Sequence, residues 1–355
     1  MDEVQFTSPN GNARAIVDWD ERCVHFYVQG APKSGLGINT CWVRNLREAP
    51  DVINVSEMKD GIPPMLPAEF CAHPRGAPAP NRSALSVVWL EEGDGAALFE
   101  GTSLLAVIPG WSGQSGFHGY ARDCIKESEL CWPLGTPTSN AMFERVKAAK
   151  EFWDSWDGDP WPAYQGAQLE RIERAIGKEI NYYAIDGRKW PPKALLKIPI
   201  ETGFVFLTIG VSLQPQPRAE MISPQPARRI ELAMAMESEL GADAQTVGGY
   251  ISGQASLPWK QFTWLGHGHT IPCDSIPTGK SGTKFTAVLL SKAPQLAPKI
   301  EMPDFRGERV EVLWMVPITE CELKYAVSNG SANLLKRFPS GSPHWIHGDR
   351  MPVVS

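Results

Sequence analysis

Proline is the feature that most constrains this chain: 31 prolines interrupt it, from Pro9 near one end to Pro352 near the other. A residue with no backbone N–H and a fixed φ breaks helix interiors and is confined to the margins of sheets. This argues for many irregular connections over a compact helical bundle. Thirteen tryptophans supply large side chains that can pin such connections, and core packing is their ordinary use. Between the prolines the first third reads as strands. Arg14–Asp20 (RAIVDWD), Cys23–Gln29 (CVHFYVQ) and Asn39–Asn45 (NTCWVRN) are β-branched or aromatic and bounded by turn residues. A Pro-rich connection at Ile62–Pro80 follows. Ala84–Pro109 is expected to form a meander of two or three strands turning at Asp94–Gly95, and Gly110–Gly119 a Gly-rich surface loop.

The length, 355 residues, exceeds what one hydrophobic core usually serves, so two domains are expected. The sharpest shift in composition is Trp132–Asn140 (WPLGTPTSN), which places the end of a β-rich N-terminal domain at residue 134. Beyond it, Met142, Val146, Ala149 and Trp153 recur at helical spacing behind an N-cap at Ser139 or Asn140. Leu169, Ile172 and Ile176 mark a second helix that stops at Gly177. Strands follow at Phe204–Gly210, Arg229–Met236, Lys284–Ser291 and Arg309–Pro317. In the second of these, Ile230, Leu232, Met234 and Met236 alternate as a strand with one buried face requires. Thr319–Glu322 (TECE) is a capping box opening a helix that Asn329–Gly330 ends.

Several classes of function find no support. The first residues carry no basic and apolar secretory pattern, and no apolar run approaches a membrane span, so a cytoplasmic protein is expected. Cys23, Cys41, Cys71, Cys124, Cys131, Cys273 and Cys321 are odd in number and contain no C-x-x-C pair, which argues for buried thiols over a disulfide framework. Residues 1–134 hold 10 Lys and Arg against 17 Asp and Glu, and no basic run exists anywhere, so nucleic acid is not an expected ligand. GWSGQ at Gly110–Gln114 lacks the final glycine of a nucleophile elbow. GKS at Gly279–Ser281 lacks the earlier glycine of a phosphate loop, having Asp274 in its place. His267, His269 and Cys273, with His344 and His347 more distant, form the one combination with zinc-ligand chemistry, though histidines in a Gly-rich turn are the simpler reading. Glu91–Glu92 and Asp154, Asp157 and Asp159 have no partner base in view and read as solvated charge.

Three segments of the second half resemble the Suppressor of fused family. They are Phe204–Glu220 (FVFLTIGVSLQPQPRAE) with the strand RRIELAMAM after it; Gly249–Pro272 (GYISGQASLPWKQFTWLGHGHTIP), with Phe262 and Gly268–Ile271; and Val310–Phe338 (VEVLWMVPITECELKYAVSNGSANLLKRF), the most specific. The resemblance spans about Thr138–Phe338, and residues 1–134 resemble an N-terminal extension found in bacterial members. It implies an α+β fold class: a β-rich N-terminal domain over 1–134, a mixed-sheet Suppressor-of-fused-like domain over 138–338 and a C-terminal tail over 339–355. It also implies no cofactor and no reaction, because members hold other proteins. Eukaryotic members clamp an extended peptide of a transcription factor partly by strand addition, and bacterial members occur among immunity proteins against polymorphic toxins. The peptide-holding Tyr and Asp of eukaryotic members match Tyr250 and His269, and a histidine in place of the acid removes an anionic acceptor.

The expected function is therefore non-enzymatic protein binding, as the immunity partner of a toxin. A regulator that sequesters a transcription or signalling protein is the alternative, and a zinc-dependent hydrolase using His267, His269 and Cys273 is the weaker third. The partner-binding residues expected are Tyr250, Trp259, Trp264, His267 and His269, an aromatic and polar group of the kind that anchors interfaces. The expected partner is another protein, with no nucleic acid, membrane or small-molecule ligand.

Overall fold

The computed structural model describes residues 2–32, 34–217, 219, 228–238, 244–260, 264–273, 276, 283–341, 343–348 and 350–354. Its contacts divide the chain into two compact units, Met1–Asp159 and Pro160–Ser355.

In the first unit, β1 (Asp2–Thr7), β2 (Ala13–Trp19), β3 (Cys23–Gly30) and β4 (Ile38–Asn45) form an antiparallel meander. A short helix, α1 (Val55–Lys59), precedes a second sheet of β5 (Leu85–Trp89), β6 (Ala96–Glu100), β7 (Ser103–Ile108), β8 (Tyr120–Ala121) and β9 (Trp132–Pro133). Phe26, Val28 and Trp42 of one sheet share a core with Leu98, Leu105 and Ile108 of the other. The opposite face of the second sheet, with Ala97, Leu104 and Val107, is covered by Met142, Val146 and Ala149 of α2 (Met142–Ser155). That packing is why the division falls after Asp159 and not near residue 134: α2 completes the first unit. The hairpin expected at Asp94–Gly95 is wider than two residues. Residues 90–95 join β5 to β6, and the positive φ, 76°, is at Gly93. Gly95 serves close approach instead, since a Cβ there would sit 2.7 Å from the Ile108 carbonyl.

The Pro-rich stretch cannot build a ladder of its own and is held by side chains of β3 and β4. Asn45 gives its Nδ2 proton to Leu66 O (2.7 Å), and its Oδ1 accepts from Leu66 N and from the Trp42 indole. Arg44 donates to Pro78 O at 2.9 Å and pairs with Asp123 at 2.6 Å. His25 Nε2 donates to Pro64 O at 2.9 Å, and burial pushes the imidazole down to about 4 from its ordinary 6.5. Below pH 6.5 the unfolded chain therefore binds a proton that the folded chain refuses. The stability this neutral histidine carries is complete above pH 6.5 and falls away as pH drops toward 4. At about 1.36 kcal/mol per pH unit, the loss is about 3 kcal/mol. It is read as a falling urea midpoint of the first unit, and the His25→Gln chain should lack this part of the acid dependence. Equal acid sensitivity in both chains would remove His25 as its source.

The second unit opens with α3 (Trp161–Ala175) and is built on one mixed sheet. Its strands are β10 (Asn181–Ala184), β11 (Ala194–Ile200), β12 (Gly203–Ile209), β13 (Arg229–Glu237), β14 (Thr270–Pro272), β15 (Phe285–Ser291), β16 (Val310–Thr319) and β17 (Ile346–His347), with α4 (Ala244–Gln254), α5 (Glu320–Asn329) and α6 (Ser331–Leu335) between them. The order is β10-β11-β12-β13-β16-β15-β14, with β17 beside β13. Pairing is antiparallel except at β13, which meets β16 in parallel along Arg229–Ala233 and then β17 in parallel along Ala235–Met236. The α+β class expected from the sequence is observed.

Ile230, Leu232, Met234 and Met236 do share a face, against Val247, Tyr250 and Ile251 of α4. The single buried face is a misreading, however. Glu231, Ala233 and Ala235 on the other side are also buried, because β13 is a central strand covered on both faces. The capping box at Thr319 and Glu322 is present, and Gly330 ends α5 at φ 88°. Within the expected tail over 339–355, Ile346–His347 form β17 and Arg350 pairs with the buried Glu322 through both guanidinium arms. Arg218, Glu220, Phe262 and the GKS stretch Gly279–Ser281 lie outside the described residues.

Candidate functional site

Of the five residues singled out in the sequence, Tyr250, Trp264, His267 and His269 fall around β14, and Trp259 lies with Val211 and Ile185 beside the start of β11. Tyr250 sits on α4, is 8% exposed, and its hydroxyl donates to Pro272 O of β14 at 2.9 Å. Trp259, 7% exposed, donates its indole proton to Gln214 O and lies under the Lys193 ammonium. Both are tied into the body of the unit. Trp264, His267 and His269 sit on the turn that leads into β14. The Trp264 and His269 rings meet edge to face, 4.5 Å between centroids, and His269 Nδ1 bonds to Trp264 O. His267 is exposed at the rim, where its Nδ1 accepts from Lys292 N, and burial followed by the Lys292 charge holds its pKa below the ordinary value.

Backbone contacts fix that turn. Gln216 clamps Leu265 from both sides, its Nε2 donating to Leu265 O and its Oε1 accepting from Leu265 N. Gly268, at φ 88°, donates to Leu290 O and accepts from Ser331 Oγ. Cys273 is fully buried. Among the described residues no group of three His, Cys, Asp or Glu side chains could hold a metal ion.

The other end of the sheet was not anticipated. β10 (NYYA) is an outer strand, exposed at all four positions, and pairs only with β11 among the described residues. Tyr182 and Tyr183 are 43% and 51% exposed. Tyr183 borders a groove of about 490 Å³ whose floor is Leu195 and Phe206 and whose wall is Gly248, Gly249 and Ser252 of α4. Lys197 stands at its edge, over the Phe204 ring. A strand with one free edge offers N–H and C=O groups to an added strand, and the groove offers an apolar seat for one of its side chains. Four residues are too short a run for periodicity to flag; the consecutive tyrosines between a helix stop and a proline pair were the available signal.

Comparison with known proteins gives a family match over residues 190–350, to the Suppressor of fused protein (SUFU) model. That span runs from just before β11 through β17 to Arg350. A chain in the Sufu-Fu complex crystal structure is 13% identical, with a TM-score of 0.38, covering 52% of this chain and 90% of that one. No curated protein matches. Among the described residues no helix is long and apolar enough to cross a membrane.

Proposed function

From a chain that carries a Suppressor-of-fused-like domain at residues 190–350, we propose a protein-binding module whose contact surface is the free edge of β10 and the groove beside it. The observation that carries this reading is the exposed edge strand with two half-exposed tyrosines, next to an apolar groove. Tyrosine brings a large contact area at low side-chain entropy cost, and such anchors dominate interface energies. An extended segment of the partner adds as a strand to β10 and seats one apolar side chain between Tyr183 and Phe206. The mode is strand addition, in which main-chain bonds give affinity and the pocket gives selectivity.

The finer reading is an immunity protein that neutralises a toxin. The first unit holds 13 Lys and Arg against 22 Asp and Glu, a net charge of −9. A field of that sign speeds association with a basic protein. Affinity capture of the tagged chain from its source cells, through a high-salt wash, is expected to retain one protein near one-to-one. The Tyr182→Asp/Tyr183→Asp chain is expected to bind it at least about tenfold more weakly, the scale of a lost interface anchor. Growth rescue in cells expressing the captured protein tests immunity separately. An empty native bait would remove the binding reading, and a captured partner that the variant holds equally well would move the contact away from β10.

A further inference from the structure

The first unit holds five of the seven cysteines: Cys23, Cys41, Cys71, Cys124 and Cys131. Residues 70–72 and 123–125 run antiparallel: Ala72 N donates to Asp123 O at 2.8 Å and Ile125 N to Phe70 O at 2.9 Å, with Cys71 opposite Cys124. Each of these two bonds joins residues that flank the pair, so Cys71 and Cys124 occupy a non-hydrogen-bonded position. There the Cα atoms lie about 4.5 Å apart with both side chains on one side of the ladder. That spacing falls within the span of about 4.4–6.8 Å that a disulfide bridges.

The thiols around this pair are unequal. A hydrogen bond from Cys131 outweighs burial and, with the Lys126 backbone, holds Cys124 below the ordinary thiol value. Burial pushes Cys41, Cys71 and Cys131 up. Cys71 and Cys124 each keep 3% of their surface open, whereas Cys41 and Cys131 keep none. A cleft of about 570 Å³ lies nearby, lined by Phe70, next to Cys71 in the chain, and by Glu127 and Ser128, three and four residues beyond Cys124.

We propose that Cys71 and Cys124 are a redox site: a hydroperoxide oxidises Cys124, and Cys71 closes a disulfide upon it. In the first step the Cys124 sulfur attacks one peroxide oxygen, the O–O bond breaks, and the departing hydroxide takes a proton to leave as water. Cys124 is then a sulfenic acid. In the second step the Cys71 sulfur attacks the Cys124 sulfur, the S–O bond breaks, and hydroxide leaves with the Cys71 proton as a second water. Two thiols and one hydrogen peroxide become one disulfide and two waters, with two electrons passing from sulfur to oxygen. The product ties the Pro-rich stretch to the loop before β9.

The test treats the full chain with stoichiometric hydrogen peroxide, counts thiols, and maps peptides digested without reductant. The count is expected to fall from seven free cysteines to five, with one peptide pair joining Cys71 to Cys124 and parted by dithiothreitol. Cys71→Ser is expected to leave a Cys124 sulfenic acid that dimedone traps, and Cys41→Ser to leave the link intact. Seven thiols surviving in the native chain, or a link from Cys124 to Cys131 with Cys71 still free, would overturn the proposal.

Discussion

Replacing Glu231 by Ala is expected to cost the second unit about 4 kcal/mol or more, a large share of what a domain of this kind has. The carboxylate is fully buried and accepts from the Thr208 hydroxyl (2.7 Å), Gly210 N (2.9 Å), Ser212 N (3.1 Å), the Ser212 hydroxyl (2.7 Å) and Gln168 Nε2 (3.2 Å). Tyr164 hydrogen-bonds to Ser212 in turn, at 3.1 Å. Burial pushes the carboxyl up, and the hydroxyls of Ser212 and Thr208 oppose it. Glu231 joins α3, the end of β12, the turn after it and the middle of β13. Without it several buried donors lose their acceptor at once, at roughly 1–3 kcal/mol each, against a total stability of about 5–15 kcal/mol for a domain. The measurement is the urea transition of the second unit. Glu231→Gln keeps the shape but turns one acceptor into a donor, and is expected to lose about half as much. A Glu231→Ala chain with an unchanged midpoint would show that the cage is not what holds these elements together.

Arg350→Ala is expected to cost about 3 kcal/mol, the scale of a buried ion pair broken on one side. Glu322 is wholly buried and Arg350 17% exposed at the side chain, with contacts of 2.6 and 2.8 Å. The same guanidinium donates to Pro317 O and lies over the Phe285 and Phe338 rings. Burial alone would push Glu322 up. The Arg350 charge and hydrogen bonds, with the amides of Thr319 and Val353, outweigh it and hold the carboxyl below its ordinary value. The stability that this pair carries is therefore complete above the unfolded value of 4.5 and lost as pH falls below it, a slope that Arg350→Ala should flatten. Thermal unfolding at pH 7 and pH 4 reads both effects. A variant that melts like the native chain would mean that the last residues only decorate the unit.

Much of the architecture was legible. β-branched and aromatic runs between prolines located most strands, and the Thr319–Glu322 box located a helix start, because those signals act over three or four residues of chain. What depends on distant partners was not. Helical spacing in α2 identified an apolar face at Met142, Val146 and Ala149 but not the sheet that receives it, so the division came out at residue 134 instead of after Asp159. Glu231 read as a polar alternate on an exposed side, because its five donors come from segments tens of residues away. At the candidate site, aromatic identity drew attention to Tyr250 and Trp259, yet identity does not distinguish a buried ring from an exposed one. Tyr182 and Tyr183 carry the exposure, in a strand too short for alternation to reveal.

The parallel pairing of β13 with β16 sets the order in which the chain acquires its shape. Neighbouring strands in the first unit's meander follow one another directly in sequence, whereas Arg229 meets Val310 across 80 intervening positions. Closing so long a loop costs entropy before any contact rewards it, and topologies dominated by distant partners fold slowly. The β1–β4 meander is therefore expected to form before the β13–β16 pairing. Until the second closes, the edge of β13 that takes β16 and β17 waits unpaired, and that interval is when a chain of this kind is most prone to aggregate with its own copies.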